Sequence, residues 1–168
     1  MKVPSTDQPN HYHEEEMKIT DAFLGEHGVF YAQFRHLEEV VPQLGDLAQI
    51  KAQAALLTAA LESHAHLEDE LLFAPLEPHL GQGGPLAVMR MEHQQIEEGL
   101  GRMPGLTDAA AAGQLLLQIV AVARGHFAKE EQVLYPMAHQ ALGEDRLREL
   151  GARWAVQREV VIEGRGCG

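Results

Sequence analysis

The chain has 168 residues, of which 45% are hydrophobic, and its formal net charge is −12. This length suffices for one domain with a sizeable core. The acidic excess argues against a surface for nucleic acid or anionic membranes, because both bind clustered Lys and Arg. The single cysteine, Cys167, excludes an internal disulfide and is typical of a reducing compartment. The N-terminus shows no secretory pattern and no apolar run is long enough to span a bilayer, so we expect a cytoplasmic protein.

Helical periodicity dominates the sequence, and few segments alternate with a period of two. Residues 1–15 contain two prolines and are predicted to form a flexible N-terminal arm. Prolines are expected to end the first helix at Pro42, the second near Pro75 and Pro78, and the fourth before Pro136. The predicted helices cover residues 18–41, 45–73, 85–102, 108–135 and 144–161.

Four helices of core width joined by short connections favour an all-α, up-down-up-down four-helix bundle. We assign this bundle to residues 16–140, and an additional C-terminal helix with a disordered tail to residues 141–168. In each of the four helices, apolar residues recur at alternating spacings of three and four, which is typical of a bundle core. The seam of the second helix is predicted to continue to Leu71, and that of the fourth to Val133.

Each apolar seam is interrupted by one histidine, and two of the seams carry a repeated motif. The motif reads His64-x-x-x-Glu68-Asp69-x-x-Leu72-Phe73 and returns as His126-x-x-x-Glu130-Glu131-x-x-Leu134-Tyr135. A histidine and a carboxylate four residues apart lie on the same helix face. The first and third seams add His27 and His93. Unpaired polar groups of this kind are costly in an apolar core, so the joint pattern predicts a metal site made by these six side chains.

A second pair, His66 and Glu70, has the same spacing and stays open as an alternative ligand set. The seam and the motif alignment favour His64 and Glu68, because His66 falls in register with a flank of the helix. The remaining histidines show no such concordance and are predicted to be surface groups. Ligands that are all nitrogen or oxygen suit non-haem iron, manganese or zinc, and disfavour iron–sulfur clusters.

The order His, His-x-x-x-Glu, His, His-x-x-x-Glu over residues 18–136 resembles the hemerythrin-like, or HHE cation-binding, family. The resemblance implies two iron ions joined by an oxo or hydroxo group. It implies that His27 and His64 bind one iron, that His93 and His126 bind the other, and that Glu68 and Glu130 bridge them. The inserted Ala74 before Pro75 is a small departure from the motif.

The oxygen-carrying members have a second histidine one turn after the one on the third helix, and this chain has Glu97 there. The resemblance is therefore nearest to the four-histidine, two-carboxylate proteins linked to nitric oxide response and to repair of iron centres. Glu97 stays open as a seventh ligand or as an acid at the edge of the pocket.

These features lead to two main hypotheses. In the first, a non-haem di-iron protein binds or reacts with O2, NO or peroxide, or senses or donates iron. In the second, the same bundle carries zinc or manganese as a non-redox metal buffer or interaction module. A third reading is a purely structural bundle whose C-terminal helix forms a homodimer. No nucleophile with an adjacent base is evident, so the sequence leaves enzyme activity open.

Overall fold

The computed structural model describes residues 16–161, and this part of the chain is all-α. The helices are α1 (Ile19–Val40), α2 (Leu47–Glu68), α3 (Ala74–Leu80), α4 (Gly84–Arg102), α5 (Ala109–Lys129) and α6 (Tyr135–Gln157). Helices α1, α2, α4 and α5 form the four-helix bundle, and α6 packs along α1. The predicted fold class is confirmed. No helix within residues 16–161 has the length and apolar character needed to cross a membrane. The predicted N-terminal arm, and the end of the tail with Cys167, lie outside the described residues.

Local sequence explains how the bundle helices begin and end. The side chains of Asp46 and Asp108 cap α2 and α5 by accepting hydrogen bonds from backbone amides, at 2.9 and 2.7 Å. Pro42 and Pro104 lie in short 3-10 turns that follow α1 and α4. Pro85 occupies the first turn of α4, where its missing amide costs no hydrogen bond.

The prediction that prolines end the second and fourth helices is wrong. Each motif passes into a single π-helical turn, over Asp69–Phe73 and Glu130–Leu134, and the chain then continues as α3 and α6. We call these the two wide turns. A proline normally clashes with the carbonyl four residues before it. Pro75 and Pro136 each come two residues after a wide turn, where the carbonyls are offset from their α-helical positions, so the helix continues.

The second wide turn also changes which residues face the core, whereas Leu71 in the first is buried as predicted. In each turn the backbone bonds span five residues instead of four, as from the Tyr135 amide to the Glu130 carbonyl. The extra residue rotates the following side chains around the axis. Val133, predicted to be a core residue, is therefore 48% exposed, and Leu134 is fully buried in its place.

The core consists of two apolar clusters stacked along the bundle axis. The first contains Phe30, Phe34 and Leu57, and the second contains Phe23, Leu71 and Leu150 from α6. The four seam histidines lie where these clusters meet, since His27, for example, follows Phe23 and precedes Phe30 on α1. The fold thus surrounds a polar layer with apolar packing on both sides.

Helix α6 contains one interruption, at Gly143. Its φ of 74° and ψ of 165° are open to glycine and strained for other residues. The helical segment after it begins at Glu144, as predicted, and ends at Gln157 instead of Val161. The sequence-based boundary at residue 140 falls inside α6.

We expect Gly151→Ala to destabilise the fold, because Gly151 lets α6 approach the start of α1 closely. A Cβ at this position would lie 2.1 Å from the Met17 carbonyl oxygen, which is backbone and cannot rotate away. Overpacking of this kind costs about 1–3 kcal/mol of unfolding free energy, measurable by urea titration. Gly28→Ala on α1 is the matched control: nothing lies within 4 Å of its added methyl group. It should be neutral or stabilising, and an equal loss in both variants would contradict the prediction.

Candidate metal centre

Four histidines and two glutamates converge where the two apolar clusters meet. They are His27 on α1, His64 and Glu68 at the end of α2, His93 on α4, His126 near the end of α5, and Glu130 at the start of the second wide turn. All six are buried: both glutamates have 0% exposure, and His93, at 7%, is the most exposed of the six. These are the six side chains that the sequence singled out, and the structure brings them together.

The six side chains form two overlapping groups, each with two histidines and two glutamates. One group pairs His27 with His64, and the other pairs His93 with His126. Within each group the potential ligand atoms all lie within 4.8 Å of one another. Glu68 and Glu130 belong to both groups, so the arrangement has two neighbouring positions with shared carboxylates.

In the first group, the Nε2 atoms of His27 and His64 are 3.2 Å apart. Two nitrogens that bind one metal ion at about 2.1 Å lie about 3.0–3.4 Å from each other, depending on the coordination geometry. The observed separation therefore fits two imidazoles directed at one cation.

The carboxylates connect the two groups. One oxygen of Glu130, Oε2, lies 3.4 Å from His27 Nε2, and the other, Oε1, lies 3.2 Å from His126 Nε2. Glu68 lies between the histidines of α2 and α4, with its Oε2 3.4 Å from the Nε2 of each. Each carboxylate thus reaches an imidazole of both groups.

The electrostatics of the cluster call for a cation. Both oxygens of Glu130, one oxygen of Glu68 and the Nε2 of His126 are buried and have no hydrogen-bond partner among the described residues. Burial and the neighbouring charge of Glu68 raise the pKa of the Glu130 carboxyl well above its usual range. Two buried carboxylates side by side cost several kcal/mol, roughly, unless they are neutralised. A set of imidazole nitrogens and carboxylate oxygens with unused lone pairs fits metal ions that prefer nitrogen and oxygen ligands.

Three of the four histidines have a carboxylate at their other ring nitrogen, Nδ1. The pairs are His27 with Glu131 at 2.9 Å, His64 with Glu26 at 2.6 Å, and His126 with Glu92 at 3.1 Å. An ionised carboxylate only accepts hydrogen bonds, so Nδ1 carries the proton in each pair. Nε2 then presents its lone pair to the cluster, and the ring is held in the orientation that a metal ligand needs.

Residues at the end of α6 support one of these carboxylates. Trp154 on α6 donates a hydrogen bond to Glu26 at 2.8 Å, and Arg158, just after α6, donates another at 2.7 Å. Burial alone would raise the pKa of the Glu26 carboxyl, yet the hydrogen bonds from His64 and Arg158 lower it to about 2. Glu26 is therefore an anion at neutral pH, fixed next to His64.

Two tyrosines lie beside the cluster: Tyr135, at the start of α6, contacts the cluster itself, and Tyr31, on α1, contacts an outer carboxylate. The hydroxyl of Tyr135 is buried and lies 3.3 Å from His27 Nε2 and 3.4 Å from Glu68 Oε1. Burial raises its pKa, so the hydroxyl keeps its proton. Tyr31 donates a hydrogen bond to Glu131 at 2.8 Å.

A small cavity adjoins the cluster on the side of α2, α4 and α5. It is lined by His64, His93 and His126, by apolar groups such as Ile96 and Phe127, and by further residues that include Glu97. Its volume of about 20 Å³ is enough for one water molecule. The cluster therefore has room for one small additional ligand on this side.

The three alternative ligands lie outside the cluster. His66 is exposed, because two residues after His64 correspond to about 200° around the helix. Glu70 forms an ion pair with Arg153 at 2.8 Å. Glu97 is exposed and lines the cavity, so its place is at the edge of the pocket and not among the clustered ligand atoms.

Sequence reasoning missed the outer carboxylates, although the chain contains a signal for them. Glu26 directly precedes His27, and Glu92 directly precedes His93, so the two lone seam histidines share a Glu-His pair. Glu131 occupies the acidic position that follows the glutamate in the repeated motif. Each carboxylate bonds a histidine on a different helix, which cannot be read from spacing along one helix.

The comparisons with known proteins agree with this geometry. The family model of the hemerythrin HHE cation binding domain matches residues 18–138, well over half of the chain. The chain belongs to the hemerythrin HHE family. Searches of curated proteins and of solved structures gave no match. Membership implies that this HHE domain binds metal ions, and both candidate ligand groups within residues 16–161 lie in the buried cluster.

Proposed function

We propose that this HHE domain holds two iron ions in the buried cluster, joined by an oxo or hydroxo group. His27 and His64 hold one ion, His93 and His126 hold the other, and Glu68 and Glu130 bridge them. The observation that carries the proposal is the pair of four-ligand groups that share both glutamates. Bound iron supplies a redox-active centre that binds or reacts with O2, NO or peroxide.

The protein's own residues prepare the centre for a small ligand. The outer carboxylates hold three imidazoles with Nε2 facing inward. The apolar clusters on either side exclude bulk water, and the adjoining cavity has room for a small ligand. The Tyr135 hydroxyl retains a proton next to His27 and Glu68.

The position of Glu97 supports reaction with small ligands or iron delivery over reversible oxygen transport. It stands where the oxygen carriers of this family have a second histidine, and its side chain is exposed at the edge of the cavity. The proposed centre therefore has four histidines. This favours a role in nitric oxide response, or in sensing and donating iron.

Anaerobic reconstitution with ferrous iron should give about two irons per chain and, in air, the absorption of an oxo bridge. His64→Ala and His126→Ala should each lower the iron content, because each removes a ligand from a different group. His66→Ala is the matched control on an exposed position of the same helix as His64 and should retain the iron. Iron content and optical spectra are the measurements.

A content of one iron or less in the wild type, or full retention in both ligand variants, would refute the two-iron centre. Zinc or manganese in protein purified without added metal, with a colourless sample that is inert to oxygen, would instead favour the metal buffer. Exposure of the reduced protein to NO and to O2 then separates ligand binding from simple iron storage.

A further inference from the structure

The cluster has an approximate internal symmetry that relates α1 to α4 and α2 to α5. Glu26-His27 on α1 corresponds to Glu92-His93 on α4, and the motif beginning at His64 corresponds to the motif beginning at His126. The outer hydrogen bonds follow this symmetry. Glu26 bonds the histidine of α2, and Glu92 bonds the histidine of α5.

One of the four outer bonds is missing. Glu131, which follows Glu130 in the second motif, bonds His27 Nδ1 at 2.9 Å. Its counterpart in the first motif is Asp69, and the symmetric partner would be the Nδ1 of His93. That nitrogen is buried and has no hydrogen-bond partner within residues 16–161.

The sequence explains why Asp69 does not reach His93. Its side chain is one methylene shorter than that of glutamate. The first wide turn also begins at Asp69, five residues after its histidine, whereas the second begins at Glu130, four residues after its histidine. This shift of one residue accompanies the inserted Ala74. As a result Asp69 is exposed, whereas Glu131 is partly buried.

The surroundings of His93 constrain its ring less than those of the other three cluster histidines constrain theirs. Its nearest neighbours include the Phe73 ring, stacked at 5.3 Å, and the His126 ring at 4.5 Å. His93 also lines the cavity, and it is the most exposed of the four histidines. An aromatic face does not fix the tautomer or the ring orientation as a carboxylate at Nδ1 does.

We propose that the two metal positions are unequal and that the ion held by His93 and His126 is the exchangeable one. His93 is the ligand that releases it, because its outer nitrogen has no anchor within residues 16–161 and its ring is the most exposed of the four. This inference rests on the proposed two-metal centre. It identifies which position of that centre delivers or exchanges iron.

The test is a chelator challenge of the iron-loaded full-length chain under anaerobic conditions, with iron release followed by absorption. We expect two phases of equal amplitude, separated by a factor of about 10 or more, the usual effect of an outer partner on metal affinity. His93→Ala should abolish the fast phase and retain about one slowly released iron per chain.

Two further variants address the missing partner itself. Asp69→Glu combined with deletion of Ala74 recreates the second motif in the first, and should slow the fast phase about tenfold. Glu131→Gln weakens the anchor of His27 and should speed up the slow phase by a similar factor. Tyr31→Phe is the matched control, because it removes only the other hydrogen bond to Glu131.

The outcomes separate this inference from the proposed function. Two ions released at one rate, or a fast phase that survives His93→Ala, would overturn the inference and leave the two-iron centre standing. Fewer than two irons in the loaded wild type would overturn the proposed function itself. Should the deletion variant fail to fold, the wild-type phases and Glu131→Gln still decide the question.

Discussion

Removing the metal with a chelator should lower the melting temperature by roughly 8–16 °C for each ion that is lost. An ion that binds one site of the folded chain only stabilises it by about 4 kcal/mol at 1,000 times its Kd, and a protein of this size shifts by roughly 2–4 °C per kcal/mol. The physical reason is the unpartnered set of carboxylate and imidazole atoms in the cluster. Calorimetry or circular dichroism with and without chelator measures the shift.

The control for this experiment is restoration of the metal. Adding ferrous iron to the chelated sample should return the original melting temperature, whereas magnesium, which prefers an all-oxygen shell, should not. An unchanged melting temperature in chelator would instead support the reading of a purely structural bundle.

Glu130→Gln should have opposite effects on the metal-bound and metal-free protein. Loss of the shared carboxylate should reduce the iron content from about two per chain to one or less. In the metal-free state the same change removes a carboxyl group whose raised pKa makes it costly to keep in the folded protein at neutral pH, and it places an amide donor near Glu68. The metal-free variant should therefore exceed the metal-free wild type in stability by about 1–3 kcal/mol, measured by urea titration.

Glu97→Gln is the matched control for this prediction. It makes the same chemical change at an exposed carboxylate on the edge of the cavity. We expect it to leave both the iron content and the metal-free stability close to wild type. A Glu130→Gln protein that loses stability in the metal-free state would contradict the prediction, because it would show that the Glu130 carboxyl stabilises the metal-free fold.

Most of the bundle core follows from spacing along the chain. Helical periodicity placed Phe23, Phe30 and Phe34 on one face of α1, and all three are buried. The same face carries His27. This works because a straight α-helix presents residues three and four apart on one side, so an apolar seam locates any histidine within it.

The prediction fails where the helix is not regular. Val133 is exposed because it lies within the second wide turn, where the wider helical turn rotates it away from the core. Pro75 and Pro136, taken alone, indicate helix ends, since the rule assumes α-helical hydrogen bonds on the N-terminal side of the ring. The rule does not apply after a turn whose hydrogen bonds span five residues. Neither motif contains a residue type that indicates such a turn.

From the sequence alone we could predict the all-α bundle, the seam histidines and the His-x-x-x-Glu pairs, because these depend on contacts within one helix. The pairing of carboxylates with imidazoles is visible only in the folded chain, since Glu26, Glu92 and Glu131 each bond a histidine on another helix. The lack of a hydrogen-bond partner for His93 Nδ1 within residues 16–161 is likewise visible only in the folded chain. It depends on where the first wide turn begins and on the length of the Asp69 side chain. Both features matter only because four helices meet around a common centre.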